Sequence, residues 1–334
     1  MKVKKYNLLI LLGLTAFSSE VLACASCGCS LSNDPITGYT ESAGWRVNLD
    51  YTFINQNQLR HGGSTATESQ AWAARQEAEH KTINRYTNLG VTYSPNADWN
   101  FKAIIPFSSR SHSTYADGNP ASDPLISSHD SGLGDIKLMA SYQGILPKHN
   151  LGVQVGVKLP TGNYGGQTKA PPVIVVGKNP TKFSNGDALD ASLQLGTGST
   201  DLIVGAYYYQ ALSENFDGFI NGQFQTAISQ KLDQPDADYR PGNQASLNFG
   251  VRYQCFEKVI PQLQVNTIHK THDQGALSGP GTAGTIVYLS PGLTVNVMKD
   301  VQAYGFMQVP IHSQVSDYQL LPRWTATVGL SYSF

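Results

Sequence analysis

Apolar and polar side chains alternate along most of this sequence. Near its end, Trp324, Ala326, Val328, Leu330, Tyr332 and Phe334 share one parity, while Thr325, Thr327, Gly329, Ser331 and Ser333 share the other. Successive side chains of a β-strand point to opposite faces, so this segment makes one apolar face and one small, polar face. Its length suits a tilted strand crossing hydrocarbon, which takes roughly 9–11 residues. The same period returns at Trp45–Phe53, Leu89–Tyr93, Trp99–Phe107, Ile136–Tyr142, Leu151–Leu159, Leu202–Tyr208, Phe216–Ile228, Ala245–Tyr253, Leu263–Thr267, Val287–Val297 and Val301–Val309. With the C-terminal segment these predict about twelve strands. Val173–Val176 reads as a small extra strand and Pro291 as a bulge.

The connections alternate in length. Those after the odd-numbered predicted strands are long and polar, the largest being Asn55–Lys81, Ser108–Gly134 and Pro160–Thr200, whereas those after the even-numbered strands are short, as at Ser94–Asp98 and Leu146–Asn150. A soluble sandwich gives no reason for this asymmetry. A bacterial transmembrane barrel does, with short periplasmic turns, longer extracellular loops and an even strand count. Aromatic residues fall at strand ends, with Trp45, Tyr93, Trp99, Tyr142 and Phe334 on the turn side and Phe53, Phe107 and Trp324 on the loop side. Two such girdles are what membrane interfaces select. The predicted fold is therefore all-β, a transmembrane antiparallel up-and-down β-barrel of about twelve strands. Its expected place is the outer membrane of a Gram-negative bacterium, in contact with outer-membrane lipid. A terminal strand closing on Phe334 resembles the C-terminal assembly signal of outer-membrane barrels, which implies the barrel-assembly machinery as a partner.

The N-terminus agrees with export. Lys2, Lys4 and Lys5 precede the apolar run Leu8–Phe17, and the small residue Ala23 follows. This is the layout of a signal peptide, predicted to span residues 1–23. Residues 24–43 then form a Cys-rich periplasmic leader, and residues 44–334 the barrel. No later stretch approaches the apolar length of a membrane-spanning helix. Charged residues make up only 14% of the chain and the formal net charge is −1, which argues against nucleic acid as a partner.

The parity opposite the apolar one defines an inward face. It is rich in amides, among them Asn48, Gln143, Asn221, Gln223, Asn248, Gln264, Asn266 and Gln308. Its charges are mixed, with Arg46, Lys102, Lys137, Lys158 and Arg252 against Asp50, Asp201 and Asp217. The candidate pore-lining residues are Arg46, Asp50, Lys102, Lys137, Lys158 and Arg252, lining a narrow polar, mildly cationic lumen. The competing reading is a side-chain network that fills a small barrel and conducts nothing. A twelve-stranded barrel lies between filled eight-stranded barrels and open sixteen-stranded porins.

Three glycine-rich stretches stand at strand mouths: Ser131-Gly-Leu-Gly-Asp-Ile136, Gly156-Val-Lys-Leu-Pro-Thr-Gly162 and Leu193-Gln-Leu-Gly-Thr-Gly-Ser-Thr-Asp201. Glycines there permit bulges and turns at a barrel rim. In this order and context the stretches resemble the outer-membrane barrel family labelled phenol meta-pathway proteins, or simply outer-membrane transporters. The resemblance covers roughly residues 45–334. It implies passive transport of a small, often aromatic, solute, and it brings no catalytic group. The cysteine leader departs from the usual start of that family.

That leader, Cys24-Ala-Ser-Cys27-Gly-Cys29, offers three thiolates suited to a soft metal ion such as Cu(I) or Zn(II). The other readings are a local disulfide in an oxidising periplasm and lipidation of Cys24. Beyond a soft ion at this leader, no cofactor is expected. A structural or metal-binding barrel that works through Cys24, Cys27 and Cys29 is the alternative to a channel. No nucleophile–base pair can be assembled from the sequence, so an enzyme is not expected.

Overall fold

The computed structural model describes residues 43–115, 119–165, 173–175, 182–183, 193–235, 237–254, 256, 258–279 and 281–334. The predicted signal peptide and Cys24, Cys27 and Cys29 lie outside the described residues. In chain order the elements are β1 (Gly44–Gly62), β2 (Ser64–Thr65), α1 (Glu68–Ala73), β3 (Glu79–Ser94), β4 (Trp99–Tyr115), β5 (Leu125–Leu133), β6 (Lys137–Tyr142), β7 (Leu151–Lys158), β8 (Val173–Val175) and β9 (Lys182–Phe183). They continue with β10 (Thr200–Ala211), β11 (Phe216–Ser229), β12 (Gln244–Tyr253), β13 (Val259–Lys270), β14 (Gly284–Met298) and β15 (Val301–Ser333).

Eleven of these form a closed antiparallel ring: β1, β3, β4, β6, β7, then β10 to β15, with β15 returning to β1. β2, β5, β8 and β9 pair outside the ring, β8 being the small extra strand that the sequence predicts. β15 crosses the wall twice. Its first half pairs with β14 and its second half with β1. Asp317 takes a positive φ of 49° where the chain folds back, and Ser333 N donates to Asp300 O at 2.9 Å, so the two ends of β15 meet. The wall is thus crossed about as many times as the alternation predicts. The eleventh connection, expected to be long, is instead this tight turn.

The strands run further than the alternation does. β1 has 19 residues and β4 has 17, well beyond the roughly 9–11 needed in lipid. The extra length falls where polar loops were expected, at Asn55–Gly62, Ser108–Tyr115 and Leu125–Leu133. Outside the bilayer both faces of a strand meet water or protein, so the Ser, Thr and His residues of these segments keep β-pairing but lose the apolar period. The stretch after β2 also holds a helix. Thr67 caps α1 in a reciprocal box with Gln70, and Ala71 packs into a buried cluster with Leu59 and Leu320. Pro291 makes no bulge against β13. The shifts in β14 fall instead at Val287/Tyr288 and Asn296/Met298.

The outward face carries large exposed apolar side chains on every side, among them Leu49, Phe101, Val155, Val204, Phe224, Phe249, Leu263, Leu293, Val328 and Leu330. A soluble monomer rarely exposes a contiguous apolar patch beyond a few hundred Å². A belt around a closed barrel is the form that lipid demands. Rings gather at the belt's edges. At the turn end Trp45 lies 4.6 Å from Tyr93, Trp99 lies 4.9 Å from Tyr142, and Phe216 lies 4.8 Å from Tyr253. At the loop end Phe53 lies 5.8 Å from Trp324, with the Arg85 guanidinium 5.7 Å over Phe53. From Trp324 to Phe334 the strand climbs about 33 Å, which a tilt of about 40° reduces to about 25 Å, the height of an outer-membrane apolar band. The chain is an outer-membrane β-barrel.

The orientation is open to a protease test. Arg75, exposed in the α1–β3 connection, should be cut by trypsin added to intact cells, while Lys148 and Lys299, exposed in short turns, should be spared. Cleavage at Lys148 or Lys299 but not at Arg75 would invert the topology.

Candidate functional site

The inward face is built by strand parity. On β1, Asn48, Asp50 and Thr52 are buried while Leu49 and Tyr51 are exposed to the bilayer side. Each candidate residue takes its place by the same rule. Arg46 Nε donates to Ser333 Oγ at 3.3 Å across the β1–β15 seam. Asp50 is buried and accepts from Tyr304 Oη. Lys102 is half-buried on β4, its stem running over the open space left by Gly90. The Arg252 guanidinium lies 3.5 Å from Asp217 and 5.8 Å above the Tyr209 ring. Lys137 and Lys158, cross-strand partners on β6 and β7, are 5% and 3% exposed, so protein rather than open lumen surrounds them.

Arg46 and Arg252 come together at the turn end of the barrel. They line a cavity of about 760 Å³ with Lys148, Lys299, Asp217, Asp300, Gln302 and Tyr209. Four cations and two anions leave this vestibule with a net formal charge of +2.

Lys158 belongs to a different construction, where the three glycine-rich stretches meet. Its ammonium lies 2.9 Å from Asp201 Oδ2 and 3.3 Å from Asp135 Oδ2, and donates to Ser199 Oγ at 3.1 Å and to Thr197 Oγ1. Asp135 accepts from Gly162 N, Thr197 N and Thr197 Oγ1, each at 3.0 Å. Asp201 accepts from Ser199 Oγ at 2.6 Å and Gln225 Nε2 at 2.5 Å. Thr161 Oγ1 accepts from Ile136 N and donates to Gly134 O. The clasp closes the wall where β7 ends, joining β6, β7 and β10. Its glycines serve close approach rather than a bulge. A Cβ on Gly162 would fall 2.7 Å from Gly196 N, and a Cβ on Gly196 would fall 2.6 Å from Gly162 O. Asp135, Thr197 and Ser199 were absent from the sequence candidates. The signal was present, because each stands within one of the quoted stretches, but only the fold shows that the stretches touch.

The inner wall also holds aromatic rings that parity counting did not name. Tyr207, Phe219 and Phe306 each lie across a glycine of the next strand, Gly152, Gly250 and Gly292 respectively, and Tyr304 lies across Gly329. Each ring takes the volume that a side chain opposite would fill. Between them runs a band of amides: Asn248 Nδ2 donates to Asn221 Oδ1 at 2.9 Å and Asn266 Nδ2 to Ser290 Oγ at 2.8 Å. Gln308 is fully buried, yet among the described residues neither atom of its amide has a partner, and Nε2 of Gln223 and of Gln264 likewise has none there. Buried groups of this kind are normally met by water or a ligand. Toward the loop end the wall turns apolar, with Ile268, Ile286, Tyr288, Val315 and Leu321 in one buried cluster.

No protein-family profile matches the chain. No curated protein matches it in sequence. Among solved structures it is similar to an outer-membrane channel from Pseudomonas putida F1, with a TM-score of 0.64 and 13% identity over 90% of this chain and 99% of that one. The transport unit of the Escherichia coli autotransporter AIDA-I aligns with a TM-score of 0.49 and 10% identity, covering 91% of this chain and 93% of that one. The toluene transporter of Ralstonia pickettii aligns with a TM-score of 0.42 and 11% identity, covering 89% of this chain and 90% of that one. At these identities the likeness concerns the fold.

Proposed function

We propose that this barrel is a passive, non-catalytic channel of the outer membrane, through which a small solute diffuses along a narrow lumen that is polar and mildly cationic at its turn end. The observation that carries this reading is the inner wall itself. It opens at the turn end into a polar vestibule of net formal charge +2, and elsewhere on the wall Gln223, Gln264 and Gln308 hold amide atoms with no hydrogen-bond partner among the described residues, groups that water or a polar solute would meet. A small, often aromatic, solute is the class implied by the resemblance to phenol meta-pathway barrels. The terminal strand ending in Phe334 is the part that the barrel-assembly machinery would read.

Purified protein in a planar bilayer is the test. Discrete conductance steps at neutral pH, together with faster swelling of liposomes in small phenols than in sugars of similar mass, are the expected result. A silent bilayer and unchanged swelling would mean a sealed barrel and sink the channel.

A further inference from the structure

On the loop side of the belt, β3 and β4 run on as a pair whose inward positions are set by Thr82 and His112, directly opposite each other. Glu77 and Glu79 lead into β3 beside them. One ligand atom from each of Glu77, Glu79 and His112 falls within 4.8 Å of the other two. The His112 side chain is 11% exposed, whereas Glu77 is 48% exposed, so the group sits between protein and solvent at the mouth.

Two details separate this cluster from a surface ion pair. His112 Nδ1 is 2.8 Å from Thr82 Oγ1, and Thr82 is 2% exposed. That bond engages one ring nitrogen from the protein side and turns Nε2 toward the carboxylates, which is how outer partners orient metal-binding imidazoles. His112 Nε2 then stands 3.5 Å from Glu77 Oε1. This is longer than a charged hydrogen bond, about 2.7–2.9 Å. It is close to the edge, about 3.4 Å, of a tetrahedron whose donors lie about 2.1 Å from a central zinc ion. The neighbouring groups have their own contacts: Glu68 Oε1 lies 2.7 Å from His80 Nδ1, and Tyr115 Oη donates to Glu68 Oε2 at 2.8 Å.

We propose that Glu77, Glu79 and His112 form a binding site for a divalent transition-metal ion of the zinc class at the extracellular mouth of the barrel. One imidazole and two carboxylates are a borderline donor set, which favours zinc over calcium or magnesium, ions that prefer oxygen alone. Two carboxylates neutralise the dication, and the fourth position is left to water. The ion ties the segment after α1 to β4. α1 is itself anchored through Ala71 to Leu59 and Leu320, Gln76 donates to Asp317 at 2.9 Å, and Glu79 pairs with Thr114 of β4, so the ion adds to a segment already held at both ends.

The test uses the full chain carrying Cys27→Ser and Cys29→Ser, so that the leader keeps one thiol at most and cannot chelate the ion. Zinc is added, excess is removed by dialysis, and retained metal is measured by elemental analysis, with the heat-dependent gel shift of folded barrels as the folding control. One zinc per folded chain is expected, with at least about 100-fold weaker binding in His112→Ala and in the Glu77→Gln/Glu79→Gln variant. Thr82→Val, which keeps all three ligands, should bind about 10-fold more weakly. Folded parent protein that retains no zinc overturns the site, as does unchanged binding in either ligand variant, or calcium retained as well as zinc.

Discussion

Lys158→Met should give a barrel that assembles poorly and melts far below the parent. The substitution leaves Asp135 and Asp201, both nearly fully buried, without their shared ammonium. Breaking a buried ion pair from one side costs about 3–5 kcal/mol, since the surviving charges stay desolvated and uncompensated. The informative comparison is the triple variant Asp135→Asn/Lys158→Met/Asp201→Asn. With the charges removed together the penalty disappears, and stability should return to within about 1–2 kcal/mol of the parent, because hydrogen bonds from Gly162 N and the Thr197 and Ser199 hydroxyls can still be accepted by the amide oxygens. Thermal unfolding followed by loss of the heat-dependent gel shift measures both. A Lys158→Met barrel as stable as the parent would mean that the clasp does not hold the wall.

The second large effect concerns selectivity. Arg46→Glu with Lys299→Glu changes the vestibule from four cations and two anions to two cations and four anions, so its formal charge goes from +2 to −2. Arg46 is only half-buried at the turn-end rim and Lys299 is exposed, so neither change should unfold the barrel. A unit charge at 4 Å is worth about 1 kcal/mol even in bulk water, and screening in 0.1 M salt reduces this over about 10 Å. A swing of four charges should therefore move the anion-to-cation permeability ratio by about tenfold at low salt, with the preference reversed. Reversal potentials across a salt gradient give the ratio directly. A ratio that does not move would mean that ions do not pass through this vestibule.

The wall of the barrel was legible in the sequence because lipid on one side enforces a period of two. Where the bilayer ends the enforcement ends, and the reading failed there for the same reason: β1 beyond Ile54, β4 beyond Phe107 and all of β5 looked like loops. The turn at Asp317 was read as a long connection because His312, Ser313, Gln314 and Ser316 are polar, although they belong to strand ends that project past the membrane. The interior was legible one residue at a time but not as sites. Parity places Lys158 inward. It says nothing of Asp135, 23 positions earlier, or Thr197, 39 positions later, because their meeting depends on how β6, β7 and β10 are registered and how the links between them fold back. The rings across Gly152, Gly250, Gly292 and Gly329 escaped notice for the same reason, since a ring and the glycine that makes room for it lie on different strands or strand halves.

The seam between β1 and the end of β15 bears on how the chain becomes a barrel. Trp45 N donates to Phe334 O at 2.7 Å and Phe334 N to Trp45 O at 2.8 Å, so the end of β15 bonds the start of β1. Every other neighbouring pair in the ring is joined by a connection no longer than that between β7 and β10, whereas this one must join segments separated by nearly the whole sequence. Closing a loop of that length costs about 5 kcal/mol in chain entropy, against about 1.5 for a five-residue turn. Until that join forms, the growing sheet has two unpaired edges, each a template for another copy of itself. Sealing is thus expected to be the slow, late step, and it cannot begin before the second half of β15 has reached the membrane. A chain cut short by a single strand would keep most of its contacts and still have no way to hide its edges from lipid.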